Sequence, residues 1–260
     1  MPQFAKPVSG NFCWTEVFLD DPERGKGFYG ELFGWGSQEM PSPAGPYTML
    51  HIGGKFVAGA TKMPAELKKT GAPPHWLNHV SVADTNQAAN KAKGLGAKIV
   101  MGPSQVGPGT MAVIQDPTGG VLALWSTKAS MGTFLWGEIN SLCWNELTTI
   151  DAAAATKFYV GLFGWQTEAW PMGDFTYTVL KNGDVPVAGV MPQPKEMAGA
   201  PTSWTAYFAV DDCDAVVKKA ERLGGKIFVP PADIPNVGRF SILADPEGAI
   251  FAVIKNAPPT

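Results

Sequence analysis

The octet FYGELFGW occupies Phe28 to Trp35, and FYVGLFGW occupies Phe158 to Trp165, with six of eight positions identical. The echo extends outward from it. At the same offset of 130, Trp14 and Glu16 in CWTEV return as Trp144 and Glu146 in CWNEL, and Val57-Ala58-Gly59 returns as Val187-Ala188-Gly189. Trp76 returns as Trp204, Asp84 as Asp212, Leu95 as Leu223 and Asp116-Pro117 as Asp245-Pro246, the offset drifting only to 128 or 129. A period of that length is one ordinary domain. The two copies are assigned to residues 1–127 and 139–260, joined by a linker at 128–138.

Each copy reads as doubled again. A strand at 12–19 leads to Asp21-Pro22 and a helical pattern that puts Phe28, Leu32 and Phe33 on one face, with short strands at 35–40, 46–52 and 56–62. The order recurs as a strand at 76–83, a helix opening at Asp84 and strands at 97–101, 110–115 and 120–126. Asp21 and Asp84 stand where a carboxylate accepts the unpaired amides of a first helical turn, and Gly34 supplies the left-handed residue that ends the helix. The fold class is α+β, four βαβββ modules in two domains. The octet is then a helix end and the turn out of it, and its aromatics belong to the core rather than to catalysis.

Apolar residues make up 45% of the chain and charged residues 17%, a composition that forms packed cores and not disorder. The net charge of −3, without a run of like charge, argues against nucleic acid as a partner. Nowhere do 18 apolar residues run together, and MPQFAKPVSG is not a secretory signal, so neither membrane nor export is expected. The three cysteines, Cys13, Cys143 and Cys213, form no disulfide framework and point to a cytoplasmic location. Cys13 and Cys143 are expected on the helix side of their strands, as poor nucleophiles.

Asp151 followed seven residues later by Phe158-Tyr159 and LFGW, the matching Asp21 and Phe28-Tyr29, and the Asp-Pro-x-Gly at 116–119 and 245–248 resemble the vicinal oxygen chelate superfamily of glyoxalases, bleomycin-resistance proteins and extradiol dioxygenases. The resemblance covers residues 11–127 and 139–255 and is nearest to bacterial tandem two-domain proteins carrying glyoxylase or hydroxylase labels. It implies that paired modules curl into partly open barrels whose concave face holds the active site, commonly with a divalent metal on His and Glu. At the positions matching those ligands stand Trp14, Leu77 and Ala123 in the first copy and Trp144, Thr205 and Ala252 in the second. Two residues along the same face the first copy offers Glu16, His79 and Trp125, and the second Glu146, Tyr207 and Ile254. One Glu and one His do not make the three protein ligands of a catalytic metal site, so no metal and no cofactor are expected.

Strand alternation thus lines one concavity with Trp14, Glu16, Phe18, Leu77, His79, Ala123 and Trp125, and the other with Trp144, Glu146, Thr205, Tyr207, Ala252 and Ile254. Small alanines beside tryptophan suggest room for a small molecule that is aromatic or carbonyl-bearing. Glu16, Glu146 and His79 are the candidate catalytic groups: a carboxylate buried beside Trp has a raised pKa, and Glu16 with His79 would make an acid–base pair. Each glutamate also has a structural alternative, binding backbone amides or an internal water, and a lone His on a strand, such as His79, is more often a satisfied structural histidine. His51 is expected at the surface and His75 has no assigned role.

Three functions compete on this reading. The leading one is a metal-free small-molecule-binding protein; the alternative is a glyoxalase-like lyase or acid–base enzyme acting on a small reactive carbonyl compound. The third is an interaction protein using the loops MPSPAGPY at 40–47 and PPADIPNVG at 230–238. The chain is expected to be a monomer with an internal pseudo-dimer, or a homodimer.

Overall fold

The computed structural model of the chain describes residues 7–40, 45–129 and 134–258. In the first half the elements are β1 (Phe12–Leu19), α1 (Pro22–Phe33), β2 (Gly36–Met40), β3 (Tyr47–Ile52), β4 (Lys55–Lys62), α2 (Ala65–Lys69), β5 (His75–Ser81), α3 (Thr85–Gly94), β6 (Lys98–Val106), β7 (Gly109–Gln115) and β8 (Val121–Thr127). The second half repeats them as β9 (Leu142–Thr149), α4 (Ala152–Phe163), β10 (Gln166–Met172), β11 (Phe175–Asn182), β12 (Val185–Pro192), β13 (Ser203–Ala209), α5 (Cys213–Arg222), β14 (Lys226–Ile234), β15 (Gly238–Ala244) and β16 (Ile250–Asn256). A single 3-10 turn at Lys195–Met197 replaces α2. The α+β class and the four βαβββ modules of the sequence reading are what the chain forms.

Each half closes one eight-stranded sheet, in the orders β2-β3-β4-β1-β5-β8-β7-β6 and β10-β11-β12-β9-β13-β16-β15-β14. The first strands of the two modules run antiparallel down the middle, and each pairs in parallel with the last strand of its own module. Helix α1 starts where Asp21 accepts from the amides of Glu23 and Arg24, with Pro22 at the first position, where no amide is needed. It stops at Gly34, whose φ of 73° is the left-handed cap expected, and α4 repeats both devices with Asp151 and Gly164.

The halves are not separate globules. One core joins Val17, Phe28, Tyr29 and Phe33 of the first half to Phe208, Val217, Leu243 and Phe251 of the second; the other joins Ala89, Ile114 and Leu124 to Phe158, Tyr159, Trp165 and Leu180. The octets make these joints. The Tyr29 hydroxyl accepts from Trp76 Nε1 at 3.0 Å and donates to Asp245 Oδ2 at 2.9 Å, while Tyr159 accepts from Trp204 at 2.8 Å and donates to Asp116 Oδ2 at 2.6 Å. Trp35 and Trp165 donate across the joint to the carbonyls of Asn140 and Gly10. The same Asp of each Asp-Pro-x-Gly turn holds that turn's amides with its other oxygen. The phrase is written twice because each half needs the other's copy.

Among the described residues no helix is long and apolar enough to cross a membrane. Of the two segments expected as loops, residues 230–234 belong to β14, and part of MPSPAGPY lies outside the described residues. In β14, Ser241 of the neighbouring strand donates to the Val229 carbonyl, so the prolines at 230 and 231 sit at an irregularity of an edge strand, where their missing amides cost nothing.

Candidate functional site

The face of each sheet away from the joint carries the residues singled out above. Trp14 pairs in register with His79, and His79 with Ala123; Glu16 pairs with Leu77 on one side and Gly59 on the other. The second half repeats this as Trp144, Tyr207 and Ala252, and as Glu146 between Thr205 and Gly189. Aligned strand residues share a face, so these side chains converge.

In the first half Trp14 Nε1 donates to the Tyr47 hydroxyl at 2.8 Å, Tyr47 is hydrogen-bonded to Glu16, and His79 Nε2 lies 2.9 Å from Glu16 Oε1. In the second, Trp144 donates to Tyr177 at 2.9 Å, Tyr177 to Glu146 Oε2 at 2.9 Å and Tyr207 to Glu146 Oε1 at 2.8 Å. Glu16 and Glu146 are only 5% and 8% exposed, so these partners are their main solvation. Burial pushes the Glu146 carboxyl up from the ordinary range, against the two tyrosine bonds that favour its charged form. Burial, then the neighbouring glutamate charge, holds Tyr47, Tyr177 and Tyr207 well above the usual phenol value. The tyrosines stay protonated donors.

Tyr47 and Tyr177 are site residues that the sequence reading missed. Their signal was present: YTML at 47–50 and YTVL at 177–180 share the offset of 130. The repeated Val-Ala-Gly explains their seating, because a Cβ on Gly59 would lie 1.9 Å from the Tyr47 hydroxyl, and one on Gly189 1.7 Å from that of Tyr177. Glycine is what lets each phenol cross over the strand to its glutamate.

Three placements differ from expectation. Cys13 and Cys143 pack on the concave side, with Leu77 and Ala123 and with Tyr207 and Ala252 respectively. A bulge at each site sets two residues against one, so simple alternation fails there. Burial still pushes both thiols up to about 12, which keeps them protonated. Ala123 and Ala252 do not leave open volume: both are fully buried, packed among Met111, Val113 and Trp125 and beside Tyr207 and Ile254. His51 is half-buried rather than exposed, its ring lodged over Gly36, and His75 stacks on Phe18 at 5.3 Å.

The donor sets do not suit a catalytic divalent ion. The first half brings together one carboxylate, one imidazole and one phenol, the second one carboxylate and two phenols. Among the described residues no three His, Cys, Asp or Glu side chains group to hold a metal. In the second half both carboxylate oxygens are occupied by phenol hydrogens.

The model of the glyoxalase/bleomycin resistance protein/dioxygenase superfamily matches residues 12–124 and 139–253. The chain belongs to this superfamily. It is 38% identical, over 99% of both chains, to the Mycobacterium tuberculosis (strain CDC 1551 / Oshkosh) protein named "Putative glyoxylase CFP32". It is 32% identical to the anthracycline biosynthesis protein DauV of Streptomyces sp. (strain C5), covering 94% of this chain and 92% of that one. Among solved structures it shares its fold with the Mn(II)-bound glyoxalase from Novosphingobium aromaticivorans, with a TM-score of 0.64 and 14% identity over 95% of this chain and 82% of that one. The extradiol ring-cleaving dioxygenase from B. fuscum has a TM-score of 0.66 and 14% identity over 100% of this chain and 75% of that one.

Proposed function

We propose that this superfamily member binds a small aromatic or carbonyl-bearing molecule on its concave face without a divalent metal. The observation that carries the reading is the Trp-to-Tyr-to-Glu chain, present in both halves on the face where the resemblance to the superfamily implies an active site. It consumes the carboxylate in hydrogen bonds to its own neighbours and lines the face with aromatic walls, the composition of a recognition site. Kinship with a protein named for anthracycline biosynthesis supports a small organic molecule as the ligand. Native mass spectrometry of the protein as purified tests this: an organic adduct that denaturation releases is expected, and a stoichiometric divalent ion surviving desalting would contradict it.

A second reading rests on the 2.9 Å contact between His79 and Glu16, an acid–base pair suited to moving a proton on a small reactive carbonyl compound. Kinship with a protein named as a glyoxylase favours it. Glu16→Gln would then abolish any carbonyl turnover found for the wild type while Glu146→Gln spares it; equal activity in all three proteins removes the reading.

A further inference from the structure

Seven of the nine tryptophans donate their indole N–H to an acceptor within 3.0 Å. Trp125 does not, although it is 5% exposed and its Nε1 is sealed from solvent. Trp136 also makes no such bond but is only partly buried, so Trp125 is the tryptophan left with a buried, unpaired N–H, at a cost of about 1–3 kcal/mol. Its ring lies against Gly109 of the neighbouring strand, where a Cβ would stand 2.5 Å from Cζ2. Trp125 stands two residues beyond Ala123, the register partner of His79, and is therefore on the same face, about 7 Å along the strand. It packs with Leu77, Met111 and Val113, and this cluster reaches solvent at Cys13, Phe18 and Val121, which are only partly buried. In the second half the equivalent residue is Ile254, which has no donor.

We propose that the ligand site is the concave face of the first half and that Trp125 donates its indole N–H to the oxygen of a neutral aromatic carbonyl compound. This rests on the concave-face reading above and narrows it to one half and one functional group. An N–H can only donate, so the ligand must bring an acceptor. A ketone, aldehyde or quinone oxygen supplies that acceptor without carrying a charge into the apolar cluster around Trp125, which a carboxylate would do. The rings of Phe18 and Trp125 give that molecule apolar walls, and the His79–Glu16 pair sets the polar side of the site.

Two probes that differ only in the carbonyl separate this bond from general apolar contact: 4-hydroxyacetophenone and 4-ethylphenol. Added to the nitrogen-15-labelled full chain, the ketone is expected to move the Trp125 indole signal, assigned through the backbone, and 4-ethylphenol to leave it in place. Trp125→Phe keeps an aromatic ring and is expected to weaken the ketone about tenfold, equal to about 1.4 kcal/mol, with 4-ethylphenol unchanged. The wild-type arm needs no variant, so it stands even if Trp125→Phe misfolds. If the probes move Trp14 but leave Trp125 in place, the Trp125 assignment falls and the concave-face reading survives. If the ketone moves only Trp144, the wrong half has been chosen. If millimolar concentrations of both probes move no concave-face indole, both fall.

Discussion

The two halves share a chain running from Trp14 or Trp144 through Tyr47 or Tyr177 to Glu16 or Glu146, and they differ in what meets the glutamate from the other side. In the first half it is His79, with Trp125 one rung further; in the second it is Tyr207, with Ile254. A second contrast lies on the opposite flank. Lys26 bridges Glu23 and Glu39 in the first half, and the equivalent Thr156, Ala153 and Ala169 leave an open groove of about 830 Å³ between α4 and strands β10 and β11. The repeat thus keeps what holds a carboxylate in place and varies what touches the space beside it.

The largest expected effect tests whether the halves can be compared as independent units at all. Expressed separately, residues 1–130 and 131–260 each lack the partner that completes both cores, and neither is expected to sediment as a folded monomer. A cooperative, monomeric half would break the account of the joint. Within the full chain, Tyr29→Phe and Tyr159→Phe each remove a hydroxyl from a buried carboxylate and strand an indole N–H. Each should cost about 3 kcal/mol in urea denaturation, because charged and neutral buried groups both lose a partner. A loss below about 1 kcal/mol would mean that the clamp contributes little.

Smaller effects sharpen the glutamate chains. Gly59→Ala and Gly189→Ala force a Cβ into the phenol and should cost about 1–3 kcal/mol each. Gly27→Ala, in helix α1 with nothing within 4 Å, should instead gain about 0.5–1 kcal/mol. Equal effects at Gly59 and Gly27 would show that the tyrosines are not seated as described. The smallest effect concerns pH. The folded Glu146 carboxyl is raised above its ordinary value of 4.5, so its contribution to stability is complete below that value and is lost as pH rises through the folded one. Glu146→Gln cannot ionise, so wild-type stability measured against it should decline with rising pH over that interval.

Much of this was legible in the sequence because the repeat supplied its own alignment. The octet, Asp21 and Asp84 caps and Gly34 stop are local signals, and local physics decided them. The convergence of Trp14, Glu16 and His79 followed from strand alternation. What escaped reading depended on geometry between strands. The bulges that turn Cys13 and Cys143 inward leave no mark on a period of two, and Tyr47 reaches Glu16 from two strands away, across Gly59 of β4. The exchange of cores between halves was hidden for a similar reason: an apolar helix face declares that it is buried, not against what.

What is proposed above is a concave face that binds a small molecule without a divalent metal. Its most direct test is to treat the full chain with chelator, titrate it calorimetrically with Mn(II), Ni(II) and Fe(II), and assay each mixture on a dicarbonyl and a catechol. No stoichiometric binding and no turnover are expected. One ion per chain, with activity that follows its occupancy and disappears in Glu16→Gln, would contradict it.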